Sequence, residues 1–139
     1  MNKVLNIGRY LFPLSFLLYA GLHLGKPDVG AAFVPGYLPF PYFWNYFTLV
    51  CIVLFIISAL IGKYDKLAYT LMAFYVLLMA FMVHLPRATG HVLEIAGSMT
   101  DSVNREKELE MVNFFRNIMI TGALLGFARY VAKDNRIIG

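Results

Sequence analysis

The sequence predicts an all-α membrane protein: a polytopic four-transmembrane-helix bundle with both termini cytoplasmic, formed by residues 1–139 as a single domain. Three observations carry that expectation. The chain has 139 residues, of which 60% are hydrophobic and 16% aromatic, and only 14% are charged against the ~25% usual in soluble domains. Mean hydropathy is +0.66, more apolar side chain than a soluble domain of this size can cover with its own surface. The apolar residues also fall into four runs, each about as long as the ~20 residues that carry a helix through ~30 Å of hydrocarbon. These features exclude a soluble enzyme and a disordered tail. A net charge of +4 does not make this a nucleic-acid binder, because the bases are scattered between apolar runs and read as topology signals.

The first run covers 6–24 and tolerates Pro13 and Gly21. Lys3 and Arg9 precede its apolar stretch, 10–24, as they would in a signal peptide, but Leu24-Gly25-Lys26-Pro27 offers no small-residue cleavage site, so the helix is expected to be retained. The second run, 42–61, has no charge, and the third, 67–85, has none before its closing residues, which include His84. The fourth, 111–132, carries Arg116 and Arg129.

An even number of spans puts both termini on one side. Grouping them with the short second connection gives seven bases and two acids, against five bases and six acids opposite. The excess of bases near span ends argues that the termini face the cytoplasm. The first outer connection, 25–41, contains Pro27, Pro35, Pro39 and Pro41, so it cannot be helical throughout. Its aromatics read first as an interfacial belt and second as a lid over the bundle mouth. The acidic run 101–110 reads as a solvated helix leading into the fourth span.

On this topology His23, His84 and His91 all lie at the outer side, level with Lys26, Arg87, Glu94, Arg116 and Asn117. His84 and His91, seven apart across Pro86, have no recognised ligand spacing, so no metal is expected and the histidines read by default as hydrogen-bonding helix ends. A single cysteine, Cys51, rules out an internal disulfide or a Cys-X-X-Cys pair and reads as an apolar filler. Arg116 lies about one and a half turns inside its run. An ionisable residue there either faces a cavity or snorkels to the headgroups, and the sequence leaves both open. Arg9 and Arg129, at the other end, read as snorkelling. Gly122 and Gly126 have the spacing of a helix-packing pair.

The order of these residues resembles the DoxX family of small four-helix bacterial membrane proteins. The resemblance spans roughly 9–128. It rests on Arg9 opening the first helix, on Gly21 and His23-Leu24-Gly25-Lys26-Pro27 closing it, on the proline-rich loop, on 79–86, and on Phe115-Arg116-Asn117 leading to Gly122. It implies a multi-pass bundle in the bacterial inner membrane. Some relatives are small subunits linked to quinone or thiol oxidation, and a more distant one acts in receptor assembly. With one cysteine, any thiol exchange here would draw on a partner's thiols.

Two function classes follow. The first is an accessory subunit of a membrane redox complex, with a quinone headgroup as its ligand and His23, Lys26, His84, Arg87, Arg116 and Asn117 as candidate binding residues. The second is a non-catalytic assembly or scaffold protein for another membrane protein. Beyond the lipid bilayer, the expected partners are a membrane protein or a second copy of the chain.

Overall fold

The computed structural model describes residues 2–90 and 100–138. It is all-helical, with 81% helix and no strand among the described residues. Three helices are long and apolar enough to cross a membrane: Pro41–Ile61, Asp65–Ala88 and Asn104–Tyr130.

The first apolar run forms two helices rather than one, α1 (Asn2–Ser15) and α2 (Leu17–Gly25), which meet at Phe16. Pro13 is the cause. It has no N–H for the Arg9 carbonyl and its ring crowds that carbonyl, which breaks the ladder one turn later. The Phe16 N–H donates to the Pro13 carbonyl at 3.2 Å, a tightened turn, and the regular spacing resumes with Ala20 N–H donating to Phe16 O at 3.0 Å.

The proline-rich connection is partly helical. Pro27 occupies the first turn of a short helix, α3 (Pro27–Ala32), where a missing N–H costs nothing. Irregular backbone follows to Phe40. Pro41 likewise opens α4 (Pro41–Ile61), which ends on Gly62 at φ 73°, a left-handed cap that suits glycine. α5 (Asp65–Met79) runs through one π-helical turn, Ala80–His84, into α6 (Leu85–Ala88), making one rod. Pro86 explains the wide turn: an α-helical register would press its ring on the Met82 carbonyl, and one extra residue relieves that crowding. The Leu85 N–H accordingly reaches the Ala80 carbonyl five residues back. α7 (Thr100–Tyr130) is continuous. The acidic run and the fourth apolar run therefore share one helix, which stops two residues short of the expected 132.

The packing order is α2–α4–α5–α7, with α3 on α4 and α6 on α7. No Cα of α1 or α2 comes within 8 Å of a Cα of α7, so the four rods form an arc whose ends are bridged by side chains. Five aromatics make the bridge. Phe16 meets Phe55 at 4.9 Å, Phe55 meets Tyr69 at 5.2 Å, and Tyr69 meets Phe127 at 5.5 Å. Phe127 stacks on Phe12 at 4.5 Å, and Phe12 returns to Phe16 at 5.8 Å. Each such contact contributes about 0.5–1.5 kcal/mol beyond area burial, and together they tie all four rods toward the end where α5 begins and α7 stops.

Below this circuit, the buried Asp65 side chain holds the end of the chain. Its Oδ1 accepts from the backbone N–H groups of Lys66 and Asp134, and its Oδ2 accepts from that of Lys133. The Arg9 guanidinium lies beside Gly62 at the same end. Outside, large apolar side chains stand exposed along every long helix, the surface of a protein solvated by lipid rather than water.

Candidate functional site

Above the aromatic circuit the arc encloses a cavity of about 730 Å³. Phe16 forms part of its floor. α4 and α5 form its back wall through Thr48, Ile52, Met72, Tyr75 and Val76, and α2 and α7 form its flanks. Phe33, Val34, Pro35 and Leu38 roof it, while Tyr37, Phe40, Tyr42 and Phe43 point outward. The connection expected chiefly as an aromatic belt is thus divided: one part covers the mouth and the other faces out. Irregular backbone in an apolar setting is stable only where protein or a cavity meets its polar groups. The Trp44 indole anchors this roof by donating to the Pro39 carbonyl at 2.9 Å, and the Tyr42 hydroxyl ties α3 down by donating to Asp28 Oδ1 at 2.7 Å.

His23, Lys26, His84, Arg116 and Asn117, five of the six residues singled out from sequence, line this cavity. His23 is held by Asn45, which is 1% exposed. The Asn45 amide nitrogen donates to the His23 carbonyl at 3.0 Å, which turns Asn45 Oδ1 toward His23 Nδ1 at 2.6 Å. An amide oxygen only accepts, so Nδ1 carries the proton, and Nε2 has no protein partner among the described residues. Gly30 makes this arrangement possible: a Cβ there would overlap Asn45 Oδ1. α3 reaches the pair only because that position has no side chain.

His84 is oriented by a carboxylate. The π turn carries it toward α7, where Nδ1 lies 2.7 Å from Glu110 Oε2. Glu110 is 4% exposed. Its other oxygen lies 3.5 Å from Arg87 Nε, close enough for the charges to pair but without a hydrogen bond. Arg87 also donates from Nη2 to Glu106 at 3.1 Å and lies 4.7 Å over the Phe33 ring of the roof. Arg87, the sixth candidate, therefore acts on the cavity through Glu110 and Phe33. Sequence reading missed Glu110. It closes an acidic run that reads as solvated, and only its fall on the inner face of a helix continuing into the fourth span could have marked it. Asn45 was missed for a similar reason, being one polar residue among aromatics.

Arg116 lies 5.8 Å over the Tyr19 ring, from the far flank of the arc. Among the described residues it has no carboxylate partner. Across the cavity the Thr48 hydroxyl donates to Trp44 O at 2.9 Å, so the 2.6 Å contact with Tyr75 is a Tyr75 hydroxyl donating to Thr48. Cys51 is free and partly buried. A Cβ at Gly122 or Gly126 would meet open space, so neither closes a helix contact within the chain. His91 and Glu94 lie outside the described residues.

The cavity thus presents two imidazoles fixed through Nδ1 and a guanidinium with no carboxylate partner among the described residues, set in a mostly apolar wall. Such a site can hold a planar, oxygen-bearing headgroup and offer its imidazole nitrogens as hydrogen-bonding and proton-transfer partners. No family model, curated protein or solved structure matches this chain.

Proposed function

We propose that this protein is a small membrane subunit or accessory factor that binds a quinone headgroup in its cavity, in support of a membrane redox complex. The observation that carries this reading is the convergence of His23, His84, Lys26, Arg116 and Asn117 on one apolar cavity. A volume of about 730 Å³ suits a small-molecule headgroup (pockets run roughly 300–1,000 Å³), and a few fixed polar groups in an apolar wall suit its carbonyls. A quinone, when bound, supplies two-electron chemistry. The chain's own residues bind and orient it, exclude water through the roof, and hold protons at His23 and His84. In this reading α1 and α2 together form a fourth crossing, and the cavity faces away from the cytoplasm.

The test is organic extraction of protein purified in detergent and in lipid nanodiscs, with assay for bound quinone. The wild type is expected to retain quinone. Arg116→Lys keeps the charge but loses the planar fork, and occupancy is expected to fall by about tenfold, the order of one charge-assisted hydrogen bond. His23→Ala and His84→Ala are expected to lower the same occupancy. No quinone in the wild type under either condition, with a membrane partner co-purifying from every variant, would replace this reading with that of a scaffold.

A further inference from the structure

The cavity has one side that no backbone closes. α2 and α7 flank it, yet no Cα of either α1 or α2 lies within 8 Å of a Cα of α7. The seam is spanned by side chains alone: Arg116 over Tyr19 at the upper end and Phe12 on Phe127 at the lower. Ile120 lies between those bridges on α7 and Leu22 lies one turn above Tyr19 on α2, both cavity-lining. The faces just outside the seam belong to the lipid-exposed surface, where Leu18 and Met119 are each 75% exposed. The polar end of the cavity therefore communicates with an apolar slot that opens sideways.

We propose that this seam is a lateral portal to the bilayer, and that the ligand is an amphiphile whose headgroup sits among the cavity's cationic and imidazole side chains while its aliphatic tail leaves between α2 and α7. The proposal rests on the headgroup reading above and adds the ligand's second half and its route. Two features favour a tail over a helix from another protein. Rings stacked 4.5 Å apart leave no slot for a helix about 10–12 Å wide, whereas an aliphatic chain threads between flexible side chains. The cation at the rim also matches a head-first amphiphile: Arg116 is exposed, faces both cavity and seam, and has no carboxylate to neutralise it among the described residues. Its contact with Tyr19 is a single cation–π bridge at 5.8 Å, weak enough to part when a tail enters.

Trp44 is the chain's one tryptophan and lines the cavity, so a quinone headgroup bound there quenches its fluorescence. The experiment places the full chain in lipid nanodiscs with two probes: a tailless benzoquinone, and a benzoquinone bearing a long aliphatic tail that ends in a photoreactive diazirine. Both are expected to quench Trp44. Photolysis of the tailed probe is expected to label seam peptides from α2 and α7, and excess tailless quinone is expected to abolish that labelling. Ala123 continues the stripe of Arg116, Ile120 and Phe127 one turn below Ile120, outside the cavity lining. Ala123→Phe narrows the slot, so it should lose the seam label while quenching by the tailless probe persists. Quenching by both probes with label only on the outward faces of α4 and α5, or with seam label that survives in Ala123→Phe, overturns the portal and leaves the headgroup site standing. Absence of quenching by either probe overturns the headgroup site, and the portal with it.

Discussion

A carboxylate at 4% exposure is stable only when both oxygens are met by protons or positive charge, since an uncompensated buried charge costs several kcal/mol. Glu110 satisfies that condition through His84 on one oxygen and Arg87 on the other. Glu110→Gln keeps the shape but sets an amide N–H₂ against either Arg87 or the His84 Nδ1 proton. It is expected to lower stability by about 1–3 kcal/mol, the cost of a buried donor left unmet. Glu108→Gln, at an exposed position two residues earlier, is expected to stay within about 0.5 kcal/mol of wild type. Thermal unfolding of both variants in one detergent checks the pair, and equal losses would mean that Glu110 is not held as described. At this scale the site was half legible. Histidines and an arginine at span ends stand out in an apolar sequence because they are expensive there. Asn45, Glu110 and Gly30 do not, because their roles depend on which neighbour each one meets across the bundle.

Among the elements, prolines decide where regular structure bends: Pro13 splits the first run at Phe16, Pro86 brings the π turn that aims His84, and Pro27 and Pro41 open helices. The sequence announces each irregularity but not its form, since a proline can be met by a kink, a wide turn or a helix start. The end of the chain shows the opposite case, an irregular segment fixed by one carboxylate pair. Asp65 receives the Lys133 and Asp134 N–H groups. Asp134 in turn accepts from Arg136 at 2.6 Å and from the Tyr64 N–H at 2.7 Å. The Arg136 guanidinium, with the Tyr64 N–H second, holds the Asp134 carboxyl well below the usual carboxylate range. A carboxyl depressed in the folded state contributes stability that is fully present above its unfolded value of about 4. That contribution is lost as pH falls through the lower, folded value. The tail is therefore expected to stay docked at pH 4 and to release only in stronger acid. The Tyr64 amide proton shift, followed by NMR across that range, reads the event. A midpoint at the ordinary carboxylate value would contradict the clasp, and Asp134→Asn should remove the transition.

For the whole molecule, the sequence carries the class and span boundaries well, because a solvent change from water to lipid is written in composition. Two expected spans, 42–61 and 67–85, agree with Pro41–Ile61 and Asp65–Ala88 to within a few residues. The open arc is not legible, because core-facing and lipid-facing surfaces are both apolar and no periodic contrast marks which helices touch. The structure does bring Arg9, the 62–64 turn and the residues after α7 to one end, with the cavity at the other. Residues 2–25 flank α4 through α1 and α2, so a crossing by that bent pair would put both termini on the side of the Asp65 clasp. The seven bases gathered there then argue for the cytoplasm. A periplasmic reporter fused after Lys26 or within 101–110 is expected to be active, and one fused after Gly139 silent. An active C-terminal reporter together with an active Lys26 fusion would mean an even number of crossings after Lys26, so that one of the three rods α4, α5–α6 and α7 does not cross. An active C-terminal reporter with a silent Lys26 fusion would keep the three crossings after Lys26 but invert them, turning the cavity mouth toward the cytoplasm. The two fusions together fix the direction and parity of the crossings after Lys26, and a reporter at the N-terminus, expected silent, then decides whether the α1–α2 pair makes the fourth.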